Sequence, residues 1–290
     1  MVSGMIVYGL INSSMFILMA IGFSLTFGIS GIANFAYGAF YEAGAYACWQ
    51  MLYSLGLPYP LAVAVAVIAT GILGALFYRF VLFRVRGNAL SEVIVTFGLG
   101  IGMLEIFRSM GLTGHSFKLP KFSDETLEIL GVYVDYQRLI ILGLALALLL
   151  CLWFFTHHTK LGLAFRGIAQ DEHTALSFGI DSETTAMMSM GIGSALAAFA
   201  AIAIMPLTLI KVEEGTHVLI LVLAVGIVGG IESTLGIIVA SLIFGFSQII
   251  VATYLTPHYT MIVMLVAIIL ILAIMPSGLF GKFKELEERV

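Results

Sequence analysis

The stretch Leu139–Phe155 reads LIILGLALALLLCLWFF and contains no charged side chain. A helix rises 1.5 Å per residue, so about 20 apolar residues cross the roughly 30 Å of hydrocarbon in a bilayer. A transmembrane β-strand would instead alternate apolar and polar residues over about ten positions. Because this stretch is apolar throughout, it indicates a membrane-spanning helix.

The composition extends this interpretation to the whole chain. Of 290 residues, 61% are hydrophobic and 10% are charged, and the mean hydropathy is +1.10. A soluble domain is about a quarter charged, so soluble globular, disordered, fibrous and disulfide-scaffold classes are excluded. The net charge of −4 is spread over short loops and offers no basic surface for nucleic acid. The chain is therefore an integral membrane protein.

Similar apolar runs recur along the chain and predict an all-α, polytopic transmembrane helical bundle. We expect eight or nine membrane segments in a single transmembrane domain over residues 1–290, with 33–54 and 217–231 short or interrupted. The nine runs are 5–27, 33–54, 60–82, 91–109, 137–156, 186–206, 217–231, 234–254 and 258–275.

Lysine and arginine in the connections indicate the orientation. Eight of these cations fall on one predicted side, against five on the other, where acidic residues dilute them. The richer side is expected to be cytoplasmic and to carry the C-terminus, and the loop at about 111–136 is expected to be external. The eight cations on the predicted cytoplasmic side are Arg79, Arg84, Arg86, Lys160, Arg166, Lys282, Lys284 and Arg289.

The segment 28–46 is the strongest prediction for a substrate path. It combines glycines that weaken a helix with polar groups at membrane depth, where irregular backbone must be buried in protein or line a watery cavity. Two plainer interpretations remain open: the glycines allow close helix packing, and Glu42 lies near an interface or bonds a neighbouring helix. The residues concerned are Gly28, Gly31 and Gly38 for flexibility, and Ser30, Asn34, Tyr37 and Glu42 for the path.

A second glycine-rich interruption lies at 226–236. Gly229 and Gly230 favour a flexible backbone, while Glu232 and Ser233 add polar groups to the predicted path. Paired interruptions in two halves of a transporter often surround its substrate, so we expect these two segments to be related in function.

The loop at 162–181 contains a short predicted helix. Asp171 and Glu172 suit its N-cap and first turn, and Gly179 suits its C-cap. Ala175, Leu176 and Phe178 form a brief apolar face that could enter a groove on a cytoplasmic partner. An ordinary ordered loop is the alternative.

Four motifs, in order along nearly the whole chain, resemble those of ABC importer permeases, most closely the branched-chain amino-acid permeases. The stretch GISGIANFAYG at 28–38 resembles G-x-x-x-x-x-N-F-A-H-G, and Gln170–Ile180 resembles the coupling-loop signature. GGIESTLG at 229–236 and PSGLFG at 276–281 match two further motifs. Tyr37 and Glu232 stand where the family often has His and Gly.

The resemblance implies a division of labour among subunits. This chain lacks a G-x-x-x-x-G-K-[ST] phosphate loop, so ATP and Mg would bind on two partner ATPase subunits, and this chain would be neither an enzyme nor a cofactor carrier. Their contacts would include Asp171, Glu172, Ala175 and Gly179. A second permease subunit and an extracytoplasmic substrate-binding protein would complete the system, in the plasma membrane of a bacterium or archaeon. The implied cargo is a branched-chain or other apolar amino acid, or a related small carboxylate or amide.

Two other functions are compatible with the fold class. A secondary transporter or channel could use Glu42 as an ion relay and would need no ATPase. An intramembrane serine protease could use Ser30 in Gly28–Gly31, with His217 or His258 as its base. The permease interpretation assigns no catalytic residue. No pair with metal-ligand spacing occurs among the scattered histidines His115, His173, His217 and His258.

Overall fold

The computed structural model describes residues 2–112, 117–123, 125–230, 233–255, 259–275 and 277–281. Within these ranges the chain forms eleven α-helices and one two-stranded antiparallel sheet. The strands are β1 (Thr126–Ile129) and β2 (Val132–Asp135). The helices are α1 (Val2–Ser30), α2 (Tyr37–Tyr53), α3 (Tyr59–Phe80), α4 (Ala89–Phe107), α5 (Tyr136–His158), α6 (Lys160–Gln170), α7 (Glu172–Ser177), α8 (Ser182–Ile204), α9 (Val212–Gly229), α10 (Thr234–Tyr254) and α11 (Thr260–Ile274).

The predicted helical bundle is confirmed, but the predicted number of membrane segments is corrected. Each of the nine apolar runs overlaps an α-helix. In the described part of the chain, however, seven helices are long and apolar enough to span a membrane: α1, α3, α4, α5, α8, α9 and α10. The 17 residues of α2 and the 15 of α11 fall short of the roughly 20 that a full crossing needs. The run 217–231, expected to be short, belongs to the continuous 18-residue helix α9.

The centre of the bundle is built from α1 and α8. The helix α1 packs against α8 and α10, while α8 also packs against α2 and α3. Small residues allow these close approaches: a Cβ on Gly44 in α2 would lie within 2.4 Å of the Ala198 Cα. Such contacts between small residues are a main source of helix association in membranes, because lipid tails remove the hydrophobic drive between helices.

The two ends of the bundle differ in structure. At one end, the hairpin β1–β2 packs against the start of α1, where the Tyr8 hydroxyl donates to the carbonyl of Tyr133 at 2.7 Å. At the other end, α6 and α7 join the end of α5 to the start of α8. We refer to these ends as the hairpin side and the α7 side.

Candidate functional site

The first glycine-rich segment is an extended stretch that separates α1 from α2. Gly31 ends α1 with a φ of 67°, which glycine adopts readily, and residues 31–34 have no regular structure. The Asn34 side chain then accepts a hydrogen bond from Ala36 N at 3.1 Å and donates to Met190 Sδ at 3.2 Å. Thr96 Oγ1 lies 3.3 Å from the Ala33 carbonyl oxygen. Ile32 and Asn34 of this irregular segment are therefore buried and its backbone is bonded within the protein, whereas Gly31 is exposed.

The helix α2 begins inside the bundle rather than at its surface. Tyr37, its first residue, is fully buried and donates its hydroxyl to the Met19 carbonyl at 2.7 Å. Met19 lies eleven residues before the end of α1, which is about 16 Å along the helix axis. The segment after Gly31 therefore doubles back along α1 into the interior before α2 starts.

Glu42 lies in α2 against the first turn of α9. Its side chain is 2% exposed, and within the described residues its Oε1 has no hydrogen-bond partner. A Cβ on Gly215 of α9 would lie 3.0 Å from the Glu42 Cγ. Glu213 and Glu214 precede Gly215 in the same helical turn, where the helix dipole favours negative charge. The buried carboxylate thus sits beside two further acidic residues.

One cation lies at the edge of this acidic region. Arg108, just after α4, forms an ion pair with Glu105 and approaches Glu213 at 3.7 Å. Glu105 lies three residues before Arg108 on the same helix face, and the structure adds Glu213 to this local pair. Arg108 follows the end of α4 on the hairpin side and its side chain is 44% exposed. These ion pairs are therefore partly in solvent, whereas the Glu42 Oε1 is buried.

The five glycines predicted to loosen the backbone occupy different environments. Gly31 and Gly230 have positive φ values of 67° and 94° and end α1 and α9. Gly38 and Gly229 are helical, and a Cβ on either would collide with the backbone of Gly215 or Gly236. Gly28 is helical and lines a cavity. Gly31 and Gly230 thus end helices, while Gly38 and Gly229 allow the backbones of two helices to touch.

The second glycine-rich segment forms the turn between α9 and α10. Ser233 caps α10 by accepting a hydrogen bond from Gly236 N at 3.1 Å. Glu232 lies outside the described residues. Gly28 near the end of α1 and Thr234 at the start of α10 line one cavity, so the two glycine-rich segments approach each other on the α7 side.

The predicted helix in the 162–181 loop is α7, and both of its ends are capped as expected. The Asp171 carboxylate accepts from His173 N at 3.0 Å and Thr174 N at 3.3 Å. Hydrogen bonds from Thr174, and a weaker one from His173, hold the pKa of Asp171 below its usual range. Gly179 follows the helix with a φ of 80°, so it is a left-handed terminator.

The predicted contact residues of α7 divide into inward and outward groups. Ala175 is buried, and Glu172 forms an ion pair with Arg86 at 2.8 Å, so both attach α7 to the bundle. Arg86 also donates to Ser182 Oγ at 2.7 Å. By contrast, Leu176 is 48% exposed and Phe178 is 82% exposed. Leu176 and Phe178, the residue after α7, therefore form the outward apolar surface of this helix. The sequence analysis had placed Ala175 on the same apolar face as these two residues.

The preceding helix α6 was missed by the sequence analysis. Thr159 begins it by accepting a hydrogen bond from Gly162 N at 2.9 Å. Its Phe165 and Ile168 are buried, while Leu163 and Arg166 are exposed. Period-3.6 spacing of apolar residues after Thr159 could have revealed it.

The serine proposed for a protease has a structural partner instead. Ser30 Oγ donates to the Thr26 carbonyl at 2.8 Å and accepts from Ile32 N at 3.2 Å, which ties the end of α1 to the extended segment. His217, one proposed base, lies in α9, and His258 lies outside the described residues. In the described parts of the chain, no three His, Cys, Asp or Glu side chains are grouped to hold a metal ion.

A bundle of apolar helices, with an irregular segment between α1 and α2 and a capped surface helix at one end, agrees with the architecture expected of a membrane permease. Residues 5–272 match the family model described as branched-chain amino acid transport system, permease component. The chain belongs to this family.

Individual relatives agree with the family model. The permease LivH of the high-affinity branched-chain amino acid transport system of Salmonella typhimurium is 25% identical, over 94% of each chain. The corresponding permease BraD of Pseudomonas aeruginosa is 28% identical, over 96% of this chain and 95% of its own. In fold, the chain is similar to a chain of PsaBC from Streptococcus pneumoniae, solved in complex with Fab, with a TM-score of 0.51 and 15% identity over 93% of this chain and 95% of the other.

Family membership confirms the permease prediction made from the four sequence motifs. It favours a component of a multi-subunit transport system over an intramembrane protease. It also places the chain in a membrane, in agreement with its seven span-length helices in the described residues.

Proposed function

We propose that this chain is the transmembrane subunit of an ATP-driven importer of branched-chain or other apolar amino acids. The observation that carries this proposal is α7, a capped helix that is fixed to the bundle on one face and exposes Leu176 and Phe178 on the other. An exposed apolar face beside ordered polar anchors is suited to a groove on a partner protein. Its relatives' transport of branched-chain amino acids supports the cargo.

The α7 side is assigned to the cytoplasm. Arg84 and Arg86 follow α3, and Lys160 and Arg166 lie in α6, all on this side of the bundle. An excess of Lys and Arg in short connections is retained on the cytoplasmic side of a membrane. With this orientation the hairpin β1–β2 faces outward, towards an extracytoplasmic substrate-binding protein.

The substrate path is proposed to run from the end of α1 through the irregular residues 31–34 into α2. Ser30, Asn34, Tyr37 and Glu42 succeed one another from the end of α1 to the middle of α2. In the described part of the chain, the buried Oε1 of Glu42 has no hydrogen-bond partner, which is costly, so Glu42 is suited to a cationic group supplied by the cargo. The α-ammonium group of an amino acid has the required charge.

The proposed transporter also contains partner subunits. Two ATPase subunits would bind ATP and Mg and would contact α7. These subunits would shift the permease between outward-facing and inward-facing states by binding one of the two states more tightly than the other. A second permease chain would pack against the weakly buried helix α4. Together these subunits would form the pore in the plasma membrane of a bacterium or archaeon.

The test is purification of the tagged chain from its native membrane in mild detergent, followed by mass spectrometry of the proteins that accompany it. We expect stoichiometric P-loop ATPases with the wild-type chain and their loss from Phe178→Asp. The matched control is Leu130→Asp, since Leu130 is 73% exposed in the hairpin turn on the opposite side.

Three outcomes are informative. Loss from Phe178→Asp alone supports docking at α7, and uptake of labelled leucine by the purified complex then tests the cargo. Equal retention of ATPases by both variants contradicts the role of α7. A chain that purifies alone and moves solute into liposomes without ATP is a secondary transporter, and the proposal is then wrong.

A further inference from the structure

A cavity of about 450 Å³ lies between α1, α5, α6 and α10 on the α7 side. Ile21, Leu25 and Ile29 form its wall on α1, opposite Leu149 on α5 and Ile238 on α10. From Ile21 to Ile29 this wall is about 12 Å deep. One leaflet contributes roughly half of the 30 Å hydrocarbon thickness, so the cavity is comparable in depth to a single leaflet.

The cavity is open to the surrounding bilayer. Leu150 and Leu235, which line it, are 68% and 67% exposed. Both lie on apolar helices of span length, so their exposed faces meet lipid rather than water. A hydrocarbon chain can therefore enter the cavity sideways from the membrane.

The lining on the α7 side is polar and carries positive charge. Arg166 of α6 and His157 of α5 line the cavity there, together with Trp153. Within the described residues Arg166 has no ion pair, and no Asp or Glu lines the cavity. The lining therefore favours an anionic group and offers no partner for an ammonium group, so an amino acid zwitterion is not its natural ligand.

We propose that this cavity is a binding site for an anionic phospholipid, with an acyl chain between α1, α5 and α10 and the phosphate held by Arg166. Basic pockets between helices at a membrane surface are a recognised arrangement for anionic head groups. Trp153, which is 57% exposed and stacks on the His157 ring at 5.1 Å, is suited to the boundary between head group and acyl chain.

A second cavity in the same molecule provides an internal comparison. It has a volume of about 350 Å³, lies between α5 and α8, and is lined by apolar residues throughout, including Leu144, Leu148 and Phe199. It can accept an acyl chain but has no group that distinguishes one head group from another. Of these two cavities, the one that contains Arg166 is thus expected to prefer an anionic head group.

The site has a structural consequence for the α7 side. The helix α6 ends at Gln170, immediately before the Asp171 cap of α7. A lipid that contacts Arg166 and the walls of α1 and α10 would hold α6 against the bundle. The inference goes beyond the proposed transport function and depends on neither the cargo nor the ATPases.

The experiment is native mass spectrometry of the full-length chain after exposure to equal amounts of palmitoyl-oleoyl phosphatidylglycerol and phosphatidylcholine. We expect phosphatidylglycerol to be retained in preference to phosphatidylcholine. Arg166→Gln should lower its retention about fivefold, which is the effect of one basic residue near an anionic lipid. Arg84→Gln, which removes an exposed cation from the same side but outside the cavity, should retain it like the wild type.

A second pair of variants tests the apolar part of the site. Ile238→Trp fills the cavity and should lower phosphatidylglycerol retention, while Ile243→Trp places the same side chain on α10 away from the cavity and should not. A circular-dichroism melt confirms that each variant is folded. The proposal is overturned if the two lipids are retained equally, if Arg166→Gln behaves like Arg84→Gln, or if soluble glycerol phosphate displaces the bound lipid as effectively as phosphatidylglycerol does.

Discussion

The contact between α2 and α9 depends on Gly38, and Gly38→Ala measures its importance. A Cβ at this position would lie 2.7 Å from the Gly215 carbonyl carbon and closer still to its oxygen, whereas real Cβ atoms essentially never come within 3.0 Å. The obstacle is backbone rather than a flexible side chain, so α2 and α9 must separate. Overpacking of this kind costs about 1–3 kcal/mol.

The same helix separation would alter the surroundings of Glu42, which packs against Gly215. We therefore expect Gly38→Ala to lower the apparent melting temperature of the purified chain by about 2–10 °C, from the usual relation between stability and melting temperature. Transport should fall as well, because the register of α2 against α9 changes.

Gly98→Ala is the matched control for this substitution. Gly98 is also in a helix interior, in α4, but among the described residues no atom outside its own helical backbone lies within 4 Å of its added Cβ. Alanine there should leave stability unchanged or raise it by up to about 1 kcal/mol, since alanine favours helix more than glycine does. If Gly38→Ala melts like the wild type, or if both variants fall equally, the close contact is not what holds α2 in place.

Three further predictions concern the path and α7. Glu42→Gln should reduce uptake about tenfold, the effect of losing a hydrogen bond to a charged group, while assembly and melting stay normal; unaltered uptake would return Glu42 to a structural role. Gly179→Val should uncouple ATP hydrolysis from transport, because a β-branched residue is strained at a φ of 80°, whereas Gly179→Asn should be tolerated better. Arg86→Gln should weaken coupling through loss of its Glu172 pair, worth about 1 kcal/mol, while Arg84→Gln should not; equal ATP-to-transport ratios in the last two variants would contradict this assignment.

The helices were predictable because run length and hydropathy directly reflect the thickness of the bilayer. The break after Gly31 was also predictable, since glycine and Asn34 together disfavour a helix and Asn34 can bond the freed backbone. The cap residues Asp171 and Gly179 follow local rules that need no tertiary information.

The neighbours of each helix were not predictable, for a physical reason. In a membrane both the lipid-facing and the core-facing sides of a helix are apolar, so hydropathy does not distinguish them. The helices α1 and α5 are both strongly apolar, yet 61% of the most apolar stretch of α1 is buried, against 11% of that of α5. Likewise, only the packed structure separates Gly38, where an added Cβ meets the backbone of α9, from Gly98, where it meets no neighbouring helix in the described part of the chain.

The helix α4 connects the two regions that transport would have to coordinate. Before its start, Arg86 binds Glu172 of α7, and Glu92 in its first turn accepts a hydrogen bond from Gly87 N at 2.8 Å. Further along the same helix, Gly100 packs so closely on the extended segment that a Cβ there would lie 3.0 Å from the Ala36 Cα.

Because α4 is one continuous helix, a displacement of α7 that pulls on Arg86 would act on the start of α4. The same helix contacts the irregular segment between α1 and α2 at Gly100. A rigid helix that contacts both regions is one of the elements through which energetic coupling between distant sites is carried. The contact at Gly100 has no side chain to absorb a shift, so a movement of α4 must be shared by the backbone at Ala36. Because backbone meets backbone at both Gly38 and Gly100, we expect the start of α2 to shift when either α9 or α4 moves.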